Sequence, residues 1–357
     1  MIKKDISNSE NNAITQNTRF NVSFLFMFAC AQPDMGALYK NQRIPVTDMH
    51  LHTGEWESVS SRSKNFFSEI FPFPFNLEPE SVTEQILSSE GILNEMNSGG
   101  FSRVFLFAVY APRSVGVTTN ELVIEQTQAD PERIFGLASL SVEQWEQEES
   151  TQLEKLDTAL QHPSMIGVKL AHTHQSFRMD DPAYYSIYTV AATHKAPVYI
   201  HTGPSPFVGT NQADPYINPK YMEEAISTHP DTQFILGHLG FDFINRKQMW
   251  LDECLKLAET YDNVWLEPSA LGSATSDPER TILVEAYQKI KEKDLVDKVL
   301  YGSDGPQRPG FIAEYLERNI YAMEQSGYTV EEVKKVLSEN ADRAFGLEPV
   351  VLKETAQ

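Results

Sequence analysis

Cysteine is nearly absent from this 357-residue chain, which holds only Cys30 and Cys254. Two thiols are too few for a disulfide framework, and neither sits in a Cys-x-x-Cys pair that would mark a zinc ribbon. Any bound metal must therefore rest on His, Asp, Glu or Lys. Basic residues are also scarce: 29 Lys and Arg stand against 50 Asp and Glu, a net charge of −21. That balance repels phosphate backbones and anionic headgroups, which makes nucleic acid a poor candidate partner and leaves a small molecule as the expected one. The apolar run Phe20 to Cys30 falls well short of the roughly 18 residues that a membrane-spanning helix requires.

That run does suit the h-region of an export signal, with Arg19 just before it. Cys30 after Ala29, with Gln-Pro-Asp-Met-Gly following, makes it similar to a bacterial lipoprotein signal, which implies export to the periplasm and a lipid anchor at Cys30. Phe28 departs from that pattern, where a small residue is usual, as does the long polar leader carrying Asp5 and Glu10. The alternative is an N-terminal strand or helix packed on the domain of a cytoplasmic protein. Residues 1–43 are thus read as leader and linker, 44–347 as the domain and 348–357 as a tail.

From Ile44 onward, short β-rich runs alternate with longer helical patterns, which argues for βα units and a parallel sheet. Eight strands are expected, over 44–51, 101–109, 134–140, 165–170, 198–201, 234–238, 264–267 and 299–304. Helices are expected near 82–96, 146–160, 183–194 and 221–228. Near-continuous apolar runs fit strands covered on both faces. Eight such units closing on themselves make a (β/α)8 TIM barrel in one domain, with its active site at the C-terminal rim of the strands.

The chemistry gathers at those ends. Asp48-Met49-His50-Leu51-His52 places two imidazoles two residues apart on a strand, so they share a face and can grip one cation. Lys169, His201, His238 and Asp304 fall at or near the ends of the fourth, fifth, sixth and eighth strands. Polar groups converging on a barrel mouth cost free energy unless bonded or ligating.

In this order the motifs resemble the amidohydrolase superfamily: Asp-x-His-x-His, Gly167-Val168-Lys169-Leu170, Pro197-Val198-Tyr199-Ile200-His201-Thr202-Gly203, Ile235-Leu236-Gly237-His238-Leu239-Gly240 and Tyr301-Gly302-Ser303-Asp304. They are most similar to its amidohydrolase-related branch, which includes the aminocarboxymuconate-semialdehyde decarboxylase group, and Glu339 to Leu347 matches that branch's terminal helix. The resemblance spans about Ile44 to Leu347. It implies that His50, His52, His201 and Asp304 ligate a divalent metal, with His238 at a second site or in catalysis. Zn²⁺ is expected first, with Mn²⁺, Fe²⁺ or Ni²⁺ as alternatives and one ion favoured over two. Asp304 would carry the proton, and Asp48 would support the ligands rather than act as the base.

Lys169 is a carbamylated bridge between two ions, as in the two-metal members of the superfamily, a binder of substrate carboxylate, or a side chain that snorkels to solvent. Ala171-His172-Thr173-His174 departs from the His-Pro that close relatives would carry there, and His172 and His174 are read as solvated loop residues, with a pocket-lining role as the alternative. His162, His194 and His229 are read as surface or capping residues. Glu267 is a rim carboxylate or an orienter of a ligand, Asp242 a weaker candidate, and Arg178 and Arg308 the cations for an anionic substrate. The long first loop, Glu55 to about Glu80, carries Trp56, Phe66, Phe67, Phe71, Phe73 and Phe75; it is a lid, a partner-facing patch such as a homo-oligomer would use, or core packing.

Three functions follow. The first is a metal-dependent hydrolase, in which a metal-activated water attacks an amide, ester or lactone. The second is a non-oxidative decarboxylase built on the same cage, which an apolar pocket with an arginine near the metal would favour. The third is a barrel that binds ligand without turnover.

Overall fold

A computed structural model describes residues 35–352, the side chains at 66–68 and 70 excepted. Residues 1–34, with the expected anchor at Cys30, lie outside the described residues, whereas the stretch read as linker pairs as an antiparallel hairpin, Ala37–Tyr39 with Gln42–Ile44, that buries Ala37 and Tyr39. No helix among the described residues is long and apolar enough to cross a membrane.

Seven parallel strands make the main sheet: β1 (Thr47–His52), β2 (Arg103–Phe107), β3 (Ile134–Ala138), β4 (Met165–Leu170), β5 (Val198–His201), β6 (Phe234–Gly237) and β7 (Val264–Glu267). They are hydrogen-bonded in chain order from β1 to β7. The eighth expected strand is not a regular ladder. Leu300 N bonds to Leu266 O on one side, while Asp304 N bonds to His50 O and His52 N to Gly305 O on the other. This extended segment closes the (β/α)8 cylinder through single bridges. Its regularity is lost because the Asp48 carboxylate captures Ser303 N at 2.9 Å, Tyr301 N turns to Val336 O, and Asp304 takes a left-handed φ of 63°.

Strand alternation sorts side chains into two layers. Val104, Leu106, Val198, Ile200, Phe234, Leu236, Val264 and Leu266 join the helix-facing core. Phe105, Phe107, Tyr199, Ile235, Trp265 and Leu300 fill the cylinder, and each such buried apolar side chain contributes about 1.5–3 kcal/mol. A bulge in β1 modifies the pattern: Asp48 pairs with Val104, yet Leu51 pairs with Leu106. The extra residue lets both Met49 and His50 reach the interior, Met49 within the inner cluster and His50 with its ring 4.3 Å from Phe107 and 4.8 Å from Tyr199.

The helix expected near 82–96 is two helices, Pro79–Leu87 and Ser89–Gly99. Ser88 breaks it with extended backbone, and its hydroxyl accepts Gly91 N at 3.1 Å as the cap of the second. The first loop is not structureless either, since it holds the helix Ser61–Ile70. It is tied to a hairpin, Val109–Ala111 with Gly116–Thr118, by a bridge between Val59 and Gly116.

Candidate active site

At the C-terminal end of the strands, His50, His52 and Asp304 bring one donor atom each to within 4.8 Å of one another. Both imidazoles converge on a single carboxylate oxygen: His50 Nε2 is 3.1 Å and His52 Nε2 3.0 Å from Asp304 Oδ1. The His50 contact lacks hydrogen-bond geometry, so its fully buried Nε2 is left without a partner. An orphaned imidazole nitrogen costs free energy in this setting unless a further group takes its lone pair. Two imidazoles and a carboxylate aimed at one point fit a divalent cation.

The tautomer that such binding needs is set from below. His50 Nδ1 lies 3.2 Å from Glu267 Oε1 and 3.1 Å from Ser269 Oγ, so its N–H donates downward and Nε2 keeps its lone pair toward Asp304. Ser269 Oγ donates to Glu267 Oε2 at 2.7 Å, and Tyr199 OH lies 3.3 Å from the same oxygen. Burial disfavours charge on His50, but the carboxylates of Asp304 and Glu267 outweigh it and raise its pKa. Burial likewise pushes the Asp304 and Glu267 carboxyls up, yet charge on His50, with hydrogen bonds from His52 to Asp304 and from His50 and Ser269 to Glu267, holds both below the usual range. Asp48 serves the expected support role: its Oδ1 accepts His50 N at 3.1 Å and Ser303 N at 2.9 Å, lacing β1 to the closing segment.

Two further expected site residues adjoin this group. His201 stands outside the three-residue group. Its Nε2 is buried and without a partner, and its ring lies 4.5 Å from His238 and 5.1 Å from His174. His238 has both nitrogens engaged, Nδ1 with Ser269 Oγ at 2.9 Å and Nε2 with Tyr199 OH at 3.2 Å. Burial lowers its pKa to about 4. His238, at φ 61°, shares the left-handed backbone of Asp304, a conformation that costs non-glycine residues about 1–2 kcal/mol and is characteristic of functional sites.

Above this floor opens a cavity of about 370 Å³. Lys169 lies along it with Nζ 3.9 Å from the Tyr199 ring centre, and burial lowers its pKa to about 7 against the pull of Asp304 and Glu267. The walls are mostly apolar, with Val59 and Phe71 from the first loop and Val115 and Val117 from the hairpin. Phe71 is thus a wall of the pocket, while Phe73 is 79% exposed. The hairpin wall carried no recognisable signal in the sequence. Tyr199 did: it lies two residues before His201 and so shares its inward face.

The reading of His172 and His174 as solvated is overturned, since both are buried. After Ala171 the chain enters a short helix, His172–Gln175, that tucks both rings inward. His172 has no partner for either nitrogen and stacks on Phe177 at 4.1 Å. Burial lowers its pKa to about 3, so the stability its neutral form gives is complete above pH 6.5 and declines as pH falls toward 3. His172→Phe should relieve a pH-dependent burden of about 2 kcal/mol at pH 5, raising the thermal midpoint more there than at pH 8. Equal shifts at both pH values would contradict this.

Among the remaining candidates, Arg178 is held by Asp180 at 2.8 Å and lies outside the cavity lining, whereas Arg308 lines it but pairs with Glu314. Arg246, unremarked in the sequence, also lines the cavity. Asp242 accepts from Ile244 N, Asn245 N and Asn245 Nδ2 and organises its own turn. His162 and His229 make local bonds to Ser164 and Ala225, and His194 bonds to Asp157 on a neighbouring helix.

The family model described as amidohydrolase matches residues 92–347. No curated protein sequence matches the chain. An uncharacterised TIM-barrel protein of Bordetella bronchiseptica is similar in structure, with TM-score 0.62, 17% identity, and coverage of 85% of this chain and 99% of that one. A probable 2-pyrone-4,6-dicarboxylic acid hydrolase of Acinetobacter baumannii gives TM-score 0.58 at 18% identity, covering 85% of this chain and 100% of its own. The 5-carboxyvanillate decarboxylase of Novosphingobium aromaticivorans, solved with manganese, gives 0.59 at 15%, covering 88% and 100%.

Proposed function

The chain belongs to the amidohydrolase family, and from that membership we propose that it is a metal-dependent, non-oxidative decarboxylase of a small carboxylated aromatic or enolic acid. One observation carries this reading. The cavity is largely apolar, and among the described residues its charged walls are cationic, Lys169, Arg246 and Arg308; apart from Asp304 the only acid is Glu314, which is paired with Arg308. Such walls hold a flat anionic substrate. That the Novosphingobium relative is named a decarboxylase supports the same reaction class.

His50, His52 and Asp304 would hold the ion, Mn²⁺ or Zn²⁺, and when bound it supplies positive charge that draws substrate oxygens to the floor. Apolar walls exclude water and strengthen every charge contact inside. Asp304, ionised in the free site, accepts the proton of the substrate hydroxyl. It returns that proton to the carbon bearing the carboxylate as the carbon–carbon bond breaks, CO₂ leaves, and the electron pair stays on the ring. His238 lines the cavity, but with both nitrogens bonded it serves to orient the floor through Ser269 and Tyr199.

Hydrolysis of an ester or lactone is the second reading, favoured by the pairing of Arg308 with Glu314, which leaves Arg246 to hold a carboxylate. The name of the Acinetobacter relative accords with it. Metal analysis combined with a panel of hydroxybenzoates, esters and lactones tests the two. About one equivalent of metal is expected, with CO₂ released from an aromatic acid, loss of activity on chelation and recovery with Mn²⁺. Turnover of lactones or esters without CO₂ release would replace the first reading with the second.

A further inference from the structure

From the contacts around Ser114, we infer that His174 is a substrate-binding donor, its Nε2–H presented to an oxygen of the acid, and that Ser114 fixes this tautomer. The inference rests on the function proposed above. His174 lines the cavity beside Lys169 and His201. Its Nδ1 is 3.0 Å from Ser114 Oγ. The other acceptors within reach of that hydroxyl, Ala111 O and the His174 carbonyl, are each at 3.5 Å, the outer limit of a hydrogen bond. The serine proton therefore goes to Nδ1, and the imidazole proton is left on Nε2.

The ring is held stiffly. Ala171 N donates to Gln175 Oε1 and Gln175 Nε2 to Leu140 O, both at 2.8 Å, while Thr173 Oγ1 donates to Asn211 O and Asn211 N to Thr173 O. A donor fixed in this way loses little freedom when substrate arrives. Ser114 itself sits at the turn of the hairpin, and its carbonyl takes the hydroxyls of Ser60 and Ser63 from the first loop. One residue thus joins the loops after β1 and β2 to the helix after β4. His238, by contrast, has no nitrogen left to offer, so His174 supplies a recognition contact that the superfamily motifs do not account for.

Removing only the Ser114 hydroxyl leaves the carbonyl bonds intact, which makes Ser114→Ala a clean probe of the tautomer. Two measurements test the inference. In the metal-loaded resting protein, nitrogen-15 spectra of labelled histidine, with His174 assigned by its loss in His174→Gln, should show the Nε2–H form, weakened in Ser114→Ala. Titration with 4-hydroxy-3-methoxy-5-nitrobenzoate, followed by its absorbance, should show binding about tenfold weaker in His174→Leu, an intermediate loss in Ser114→Ala, and near-normal binding in His174→Gln, whose amide can donate from a similar place. Metal content should be unchanged in all three. An Nδ1–H form, or binding in His174→Leu equal to wild type, overturns the inference alone. A wild type that does not bind the probe overturns the proposed substrate class and this inference with it.

Discussion

Asp304→Asn is expected to lower turnover on the order of 10³-fold while leaving the fold in place. The substitution is nearly isosteric, and the backbone bonds that seat the residue, Asp304 N to His50 O and Gln307 Nε2 to Asp304 O, do not involve the carboxyl. What it removes is the negative charge facing both Nε2 atoms and, among the described residues, the only acid of the cavity not already paired with arginine. Metal content measured beside turnover separates the two roles. Activity lost with metal retained identifies the proton carrier, and both lost together identifies the ligand. Wild-type turnover with wild-type metal content would end the case for chemistry at this floor.

The barrel was legible because each inner strand carries its own evidence. Val198 to His201 is apolar, is β-branched at its start and ends on a histidine, and it folds as a strand with that histidine facing inward. The closing segment was legible in place but not in form, since the run 299–304 reads alike whether its amides pair with a strand or are drawn off, Ser303 N by Asp48 and Tyr301 N by Val336 O. His50, His52 and Asp304 were visible from spacing and strand ends. His174 was not: whether a histidine in a loop faces solvent or cavity depends on tertiary partners such as Ser114, 60 residues away. Nor could spacing show that Ser269 and Tyr199 occupy both nitrogens of His238.

Gly302→Ala should do nearly as much damage as Asp304→Asn without replacing any polar side chain of the floor. A Cβ at Gly302 would lie 1.9 Å from Glu267 Oε1 and 2.8 Å from His50 Cβ, both on fully buried residues with nowhere to retreat. The backbone there is not left-handed, so the effect is steric and concerns only that pair. Either the closing segment shifts outward or the carboxylate leaves His50 and remains buried and unpaired, at a cost of about 3–5 kcal/mol. Freed of Glu267, the His50 ring loses the bond that aims Nε2, and metal affinity should fall roughly 10–100-fold. Shortening the partner separates these effects. Glu267→Ala added to Gly302→Ala should recover much of the thermal midpoint, because it makes room and removes the stranded charge, but should not recover metal binding, because His50 still lacks its orienting carboxylate. If Gly302→Ala alone keeps both midpoint and metal content, then Glu267 does not set the posture of His50, and the donor geometry of the floor has another origin.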